Sequence, residues 1–313
     1  MSNKLTGFNE LEEKLTIQIN NNKLPQALLI CGKSGIGKAS FAKYLANKIL
    51  VLGTDKNKII GQDAQNLDMF IVEKNPEKKN ITIDQIREMQ DFMYKTPLIS
   101  KNKISIIDSA CNLNNNSANS LLKILEEPKP NNFFILIAHN ISLVIPTIRS
   151  RCQIFKVNNL NLYQFKELVS KNHHFNQDEI EVLAIICENS PALAINNGKL
   201  YIEIYQNLLL SLNNGYLNNK MIEIISNKDF DIDIAERLIA FMISRLIKFI
   251  ENQGQLYYFS EKETFAKIAQ RLSNYYIFTL YQEIKNQIKN CKNFYLDKKL
   301  TLINIFNLLN RHE

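Results

Sequence analysis

The segment Gly32-Lys33-Ser34-Gly35-Ile36-Gly37-Lys38-Ala39 restricts what this chain can fold into more than any other stretch. It follows the apolar run Ala27–Cys31 and precedes a segment with Phe41, Leu45 and Ile49 at helical spacing. A strand, a glycine loop and a helix in that order turn backbone N–H groups and the positive end of a helix dipole toward one point, which is what a phosphate needs. Lys38 adds a point charge for terminal phosphates, and the loop is suited to ATP or ADP. A glycine-rich turn ahead of an ordinary surface helix would leave the spacing and the lysine without a reason.

The loop is incomplete as a catalytic site. The residue after the lysine is ordinarily Ser or Thr, whose hydroxyl holds Mg²⁺; here it is Ala39, and Ser40 is turned roughly 100° away on a helix. A second element is the apolar run Lys103–Ile107 ending in Asp108, expected at the carboxyl edge of a sheet, where α/β ligand sites lie. The position after that aspartate, where a glutamate would polarise water, is Ser109, and no histidine lies near it in sequence. Serine without a partner is a poor base. Glu126 and Glu127 belong to the far end of the next helix.

Apolar runs bounded by turn residues place strands at Ala27–Cys31, Asp68–Val72, Lys103–Ile107, Phe133–Ala138 and Cys152–Val157. Between them lie helices over about Lys38–Leu50, Asp84–Tyr94 and Ser117–Glu127, the last preceded by Asn114, Asn115 and Asn116 as candidate caps and stopped by Pro128. Alternation of this kind predicts βαβ units and a parallel sheet. After about residue 158 only helical periodicity remains, most plainly Ile234, Leu238, Met242, Leu246 and Ile250, a stripe that serves a core or a subunit interface equally well. Asn196–Gly198 and Asn213–Asn219 read as connections.

The remaining features bound the setting. No apolar run approaches the about 18 residues that span a bilayer, and the start MSNKLTGFNELEEKL lacks a secretory core, so a cytoplasmic protein with no membrane role is expected. Five separated cysteines exclude a CxxC zinc module, and no metal is expected. His173-His174 has no third ligand nearby and reads as a helix end. Lys and Arg exceed Asp and Glu by 38 − 31 = 7, a weak pointer to nucleic acid because Asn, Lys and Ile are all overused. Before the last strand, Pro146-Thr147-Ile148-Arg149-Ser150-Arg151-Cys152 offers two arginines, which are either ordinary surface charges or, as the loop position favours, include an arginine finger for a neighbouring subunit's γ-phosphate.

Taken together, these residues resemble the bacterial clamp-loader AAA+ family. The likeness is carried by Leu24-Pro25-Gln26-Ala27-Leu28-Leu29 before the glycine loop, Ile83-Asp84-Gln85-Ile86-Arg87-Glu88, the stretch from Ser117 to Pro128, and Arg149-Ser150-Arg151-Cys152. It covers nearly all of residues 1–157 and weakens beyond 205. The resemblance implies an α/β P-loop AAA+ core with a parallel sheet over 1–157, a small helical lid over 158–204 and an all-α collar over 205–313. It puts Lys38 on the Walker A lysine, Asp108 on the Walker B aspartate, Asn140 near sensor 1 and Arg151 on the finger that acts in trans. Ala192, in Asn189–Ala194, stands where hydrolysing members carry a sensor 2 arginine. The nucleotide-binding set is thus Gly32, Lys33, Ser34, Gly35, Ile36, Gly37, Lys38, Ala39, Asp108 and Asn140, in vestigial form. The implied partners are motor (tau/gamma) and delta subunits in a hetero-pentameric ring, the sliding clamp, and primed DNA through the complex, in the service of DNA polymerase III, a nucleotidyltransferase. Departures are the missing zinc cysteines between Cys31 and Cys111, and Gln26 in place of a common histidine.

Three functions fit these observations: a non-hydrolysing stator that completes a neighbour's ATP site, a genuine ATPase motor with an unconventional metal ligand and base, and a P-loop phosphotransferase. Loss of the Ser/Thr, the glutamate and the sensor arginine together favours the first.

Overall fold

Five strands pair side by side in a computed structural model that describes residues 5–54, 67–75, 77–78, 80–172, 175–227, 230–253 and 256–311. They are β1 (Ala27–Cys31), β2 (Met69–Val72), β3 (Lys103–Ile107), β4 (Asn132–Ala138) and β5 (Gln153–Lys156). All are parallel, in the order β2-β3-β4-β1-β5. Parallel neighbours require long crossovers. Helices α2 (Lys38–Leu52), α3 (Ile83–Tyr94) and α4 (Asn115–Glu126) supply them, with a short α5 (Pro146–Arg149) before β5.

Because helices cover both faces, β1 and β3 are buried at every residue rather than at alternate ones. The alternation survives as a choice of core. Leu28 and Ile30 of β1, with Ile135 and Ile137 of β4, enter one cluster with Phe41 and Leu45 of α2. Leu29 and Cys31, with Phe134 and Leu136, enter the other with Met89 and Met93 of α3 and Leu121 of α4.

Local chemistry sets the ends. Thr82 and Gln85 form a reciprocal capping box at α3, and Asn114 accepts the Ser117 N–H at 2.9 Å to start α4. The strand expected from Asp68 begins one residue later, because the buried Asp68 carboxylate accepts the N–H groups of Leu98, Ile99 and Ser100 at 2.7–2.8 Å. A helix absent from the elements expected above, α1 (Asn9–Asn20), precedes β1. It is secured by buried Leu15 and by Phe8 stacking on Phe41 at 4.6 Å.

The chain divides into two compact units, residues 1–164 and 165–313. Among the described residues the regular elements of the second are all helices: most of α6 (Leu162–Asn172), α7 (Gln177–Ile186), α8 (Pro191–Asn214), α9 (Asn219–Ser226), α10 (Ile232–Ile250), α11 (Phe259–Arg271), α12 (Asn274–Phe294) and α13 (Lys298–Leu309). The α10 stripe Ile234, Leu238, Met242 and Leu246 is core, part of one apolar cluster from Phe165 to Leu309. Asn196–Gly198 is not a connection: α8 runs straight through it. There Gly198 allows close approach, since a Cβ would lie 2.8 Å from Phe175 and 3.0 Å from Leu183. The 204/205 division expected between lid and collar also falls inside α8. His173 and His174 lie outside the described residues. No helix among the described residues is long and apolar enough to cross a membrane.

Candidate functional site

β4 lies between β1 and β3, so these three strands deliver the glycine loop, Asp108 and the residues after Ala138 to one edge of the sheet. The loop's geometry needs its glycines. Gly35 and Gly37 have φ of +76° and +97°, and a Cβ on Gly32 would sit 2.8 Å from the Val157 carbonyl oxygen. Gly37 then occupies the N-cap position of α2 without a side chain to cap the first turn.

Lys38 is almost wholly buried, and its ammonium bends back to donate to the carbonyl oxygens of Gly32, at 2.6 Å, and Lys33. Burial lowers its pKa to about 8, opposed chiefly by the charge of Asp108. Ala39 is half-buried against the α2 core and presents only a methyl group, while Ser40 is exposed. The residues present therefore fit the phosphates of a nucleotide, while its magnesium would keep Asp108 and lose the hydroxyl that the loop ordinarily supplies.

Ser109 has φ +70° and ψ +65°, left-handed backbone that a residue with a Cβ seldom adopts. Its Oγ lies 2.8 Å from His139 Nε2. The isolation of Ser109 expected from sequence is thus corrected: a histidine thirty residues away joins it, because β3 and β4 are parallel neighbours with Ile107 level with Leu136. Partial desolvation, then the Lys38 ammonium, lowers the His139 pKa, with Asp108 opposing. Strand order, which linear spacing does not contain, was the signal needed to find it.

Asn140 is exposed, and its side-chain oxygen accepts the Ser142 N–H at 2.9 Å to start the short turn Ile141–Leu143. At the edge of the phosphate site it is His139 that meets Ser109. In the second unit, Ser190 and Pro191 open α8, with Ala192 half-buried in its first turn.

Arg151 belongs to the other end of the sheet. β5 pairs with β1 from Gln153 opposite Leu28 to Lys156 opposite Cys31, so Arg151 lies two residues before the strand, about level with Gln26. From there to Gly32 is six residues, roughly 20 Å at about 3.3 Å per strand residue. One side chain cannot span that, so Arg151 does not serve its own loop. Its Nη1 donates to the Thr147 carbonyl at 2.9 Å and to Ser150 Oγ at 3.3 Å, and its Nη2 to Glu126 at the end of α4. Ser150 Oγ closes the same turn by donating to Thr147 O at 3.0 Å. Cys152 is buried beneath, and burial pushes its thiol up to about 12, which makes it a packing residue.

Residues 7–161 match the family described as DNA polymerase III, delta subunit. The chain is 34% identical over 134 residues to the DNA polymerase III subunit delta' of Pseudomonas aeruginosa, covering 40% of this chain and 41% of that one. It is 28% identical over 204 residues to the DNA polymerase III subunit gamma of Buchnera aphidicola, covering 62% and 56%. The chain thus spans about half the length of the curated relatives it matches. In fold it is similar to a solved DNA polymerase III gamma subunit-related protein from Thermotoga maritima, with TM-score 0.52 and 20% identity over 95% of this chain and 98% of that one.

Proposed function

We propose that the chain is a clamp-loader subunit of DNA polymerase III and acts there as the delta prime subunit, a stator that does not hydrolyse ATP. In this reading its helical half divides into a lid over about 158–204 and a collar over about 205–313 that joins a hetero-pentameric ring with tau/gamma and delta subunits. Arg151 completes the ATP site of the adjacent motor. Cycles of ATP binding in the motors then open the sliding clamp and place it on primed DNA, in the cytoplasm.

The observation that carries this reading is the β5 register. An arginine held at the opposite edge from its own glycine loop is out of reach of a phosphate bound there, which supports a role toward another chain's phosphate. Ala39 and the missing glutamate after Asp108 support it, because the loop keeps the means to hold phosphate and lacks a magnesium ligand. Steady-state ATP hydrolysis by the purified chain, beside Lys38→Ala, tests the stator role; equal background rates are expected.

A second reading, an ATP-hydrolysing motor, is favoured by one observation. The Ser109–His139 pair could supply the base that sequence alone does not. It requires a rate that both Lys38→Ala and His139→Ala abolish.

A further inference from the structure

A guanidinium grips a phosphate most strongly through two parallel N–H donors, and so needs one open fork. Arg151 has none free. The fork between its two terminal nitrogens is taken by Glu126 on one side and by the Thr147 carbonyl and Ser150 hydroxyl on the other. The fork that uses Nε is closed differently, because Nε is buried and meets no acceptor among the described residues. The Glu126 carboxylate, on the last residue of α4, stands where an incoming anion would have to be.

We propose that Glu126 is an internal substitute for the neighbour's terminal phosphate, latching Arg151 in the subunit on its own and releasing it to the more highly charged anion of a neighbour's nucleotide. This rests on the finger reading above. The pair is open enough to exchange: the two side chains are 32% and 48% exposed, so solvent weakens the bond. Phosphate oxygens carry more charge than one carboxylate and match the same fork. The latch therefore keeps a bare arginine from capturing stray anions, and makes the finger answer to ATP in the adjacent site. It also gives the last residue of α4 a role joined to the arginine loop, two stretches that are far apart in sequence.

The test uses the complete complex reconstituted with motor subunits, assayed for ATPase over a range of ATP and salt concentrations. Glu126→Gln, which keeps the shape and removes the charge, is expected to raise kcat/KM about two- to fivefold. The gain should narrow as salt screens the latch in the wild type. Glu126→Asp, which keeps the carboxylate, stays nearer the wild-type value. A gain followed by its reversal is not something structural damage produces. If Arg151→Ala cripples the complex while Glu126→Gln leaves kcat/KM unmoved or lowers it, the latch is wrong and the finger stands. If Arg151→Ala changes nothing, both are wrong.

Discussion

Ser109 and His139, from the ends of neighbouring parallel strands, meet with Oγ and Nε2 2.8 Å apart at the edge that carries the glycine loop. The imidazole is held below the ordinary histidine range by partial desolvation and then by Lys38. At the acidic pH where it titrates, Lys38 is charged, so Lys38→Met should raise the His139 pKa, read by NMR titration; an unmoved value would separate the two groups. Because the folded state resists this proton, the pair's contribution to stability is complete above the ordinary histidine range and declines as pH falls through it.

Lys38 gives the opposite dependence for ligand binding. Its pKa of about 8 reflects burial, and bound phosphate would raise it again. The complex then takes up a proton, so affinity for ADP or ATP should be greatest below pH 8 and fall as pH rises through it. Calorimetric titrations at pH 7 and pH 9 measure this, and Lys38→Ala should remove the difference with the binding.

Much of this arrangement was legible in the sequence, and the failures have specific causes. Ala27–Cys31 and Lys103–Ile107 were recovered residue for residue, because buried central strands are short, continuous and apolar. α1 was missed although Phe8, Leu11, Leu15 and Ile19 recur at helical spacing and pack on one core; only Leu15 within the helix is fully buried, and polar residues fill the rest of it. Gly198 misled because a glycine among asparagines resembles a break, when its missing side chain serves helix packing. The residues of the phosphate loop could be named in advance, whereas His139 and the Arg151–Glu126 bond needed the strand order and the turn before β5.

Gly32 tests the close packing of the loop against β5. Gly32→Ala puts a Cβ against the Val157 carbonyl, which is backbone and cannot step aside. A cost of about 1–3 kcal/mol is expected, lowering the thermal midpoint of the first unit by several degrees. An unchanged midpoint would mean that the loop and Val157 are not in contact.

In the helical unit, Arg245 and Glu261 are a buried ion pair at 3.2 Å, with Tyr205 donating to the same carboxylate at 2.7 Å and the Tyr257 N–H at 2.9 Å. Glu261→Ala removes the carboxylate that balances this buried guanidinium and should cost about 3–5 kcal/mol in denaturant unfolding. Adding Arg245→Met should restore a large part of it. Failure of the second change to help would place the loss in Tyr205 and the Tyr257 backbone instead.

In the proposed function this chain contributes an arginine to a neighbour and no hydrolysis of its own. The most direct measurement is steady-state ATPase of the reconstituted complex with wild-type chain, with Arg151→Ala and with Ala39→Ser, beside the purified chain. Background rates are expected for the purified chain, and the complex should lose the turnover of the adjacent motor site with Arg151→Ala alone. Undiminished turnover with Arg151→Ala, or a Lys38-dependent rate from the purified chain, would contradict the proposed function.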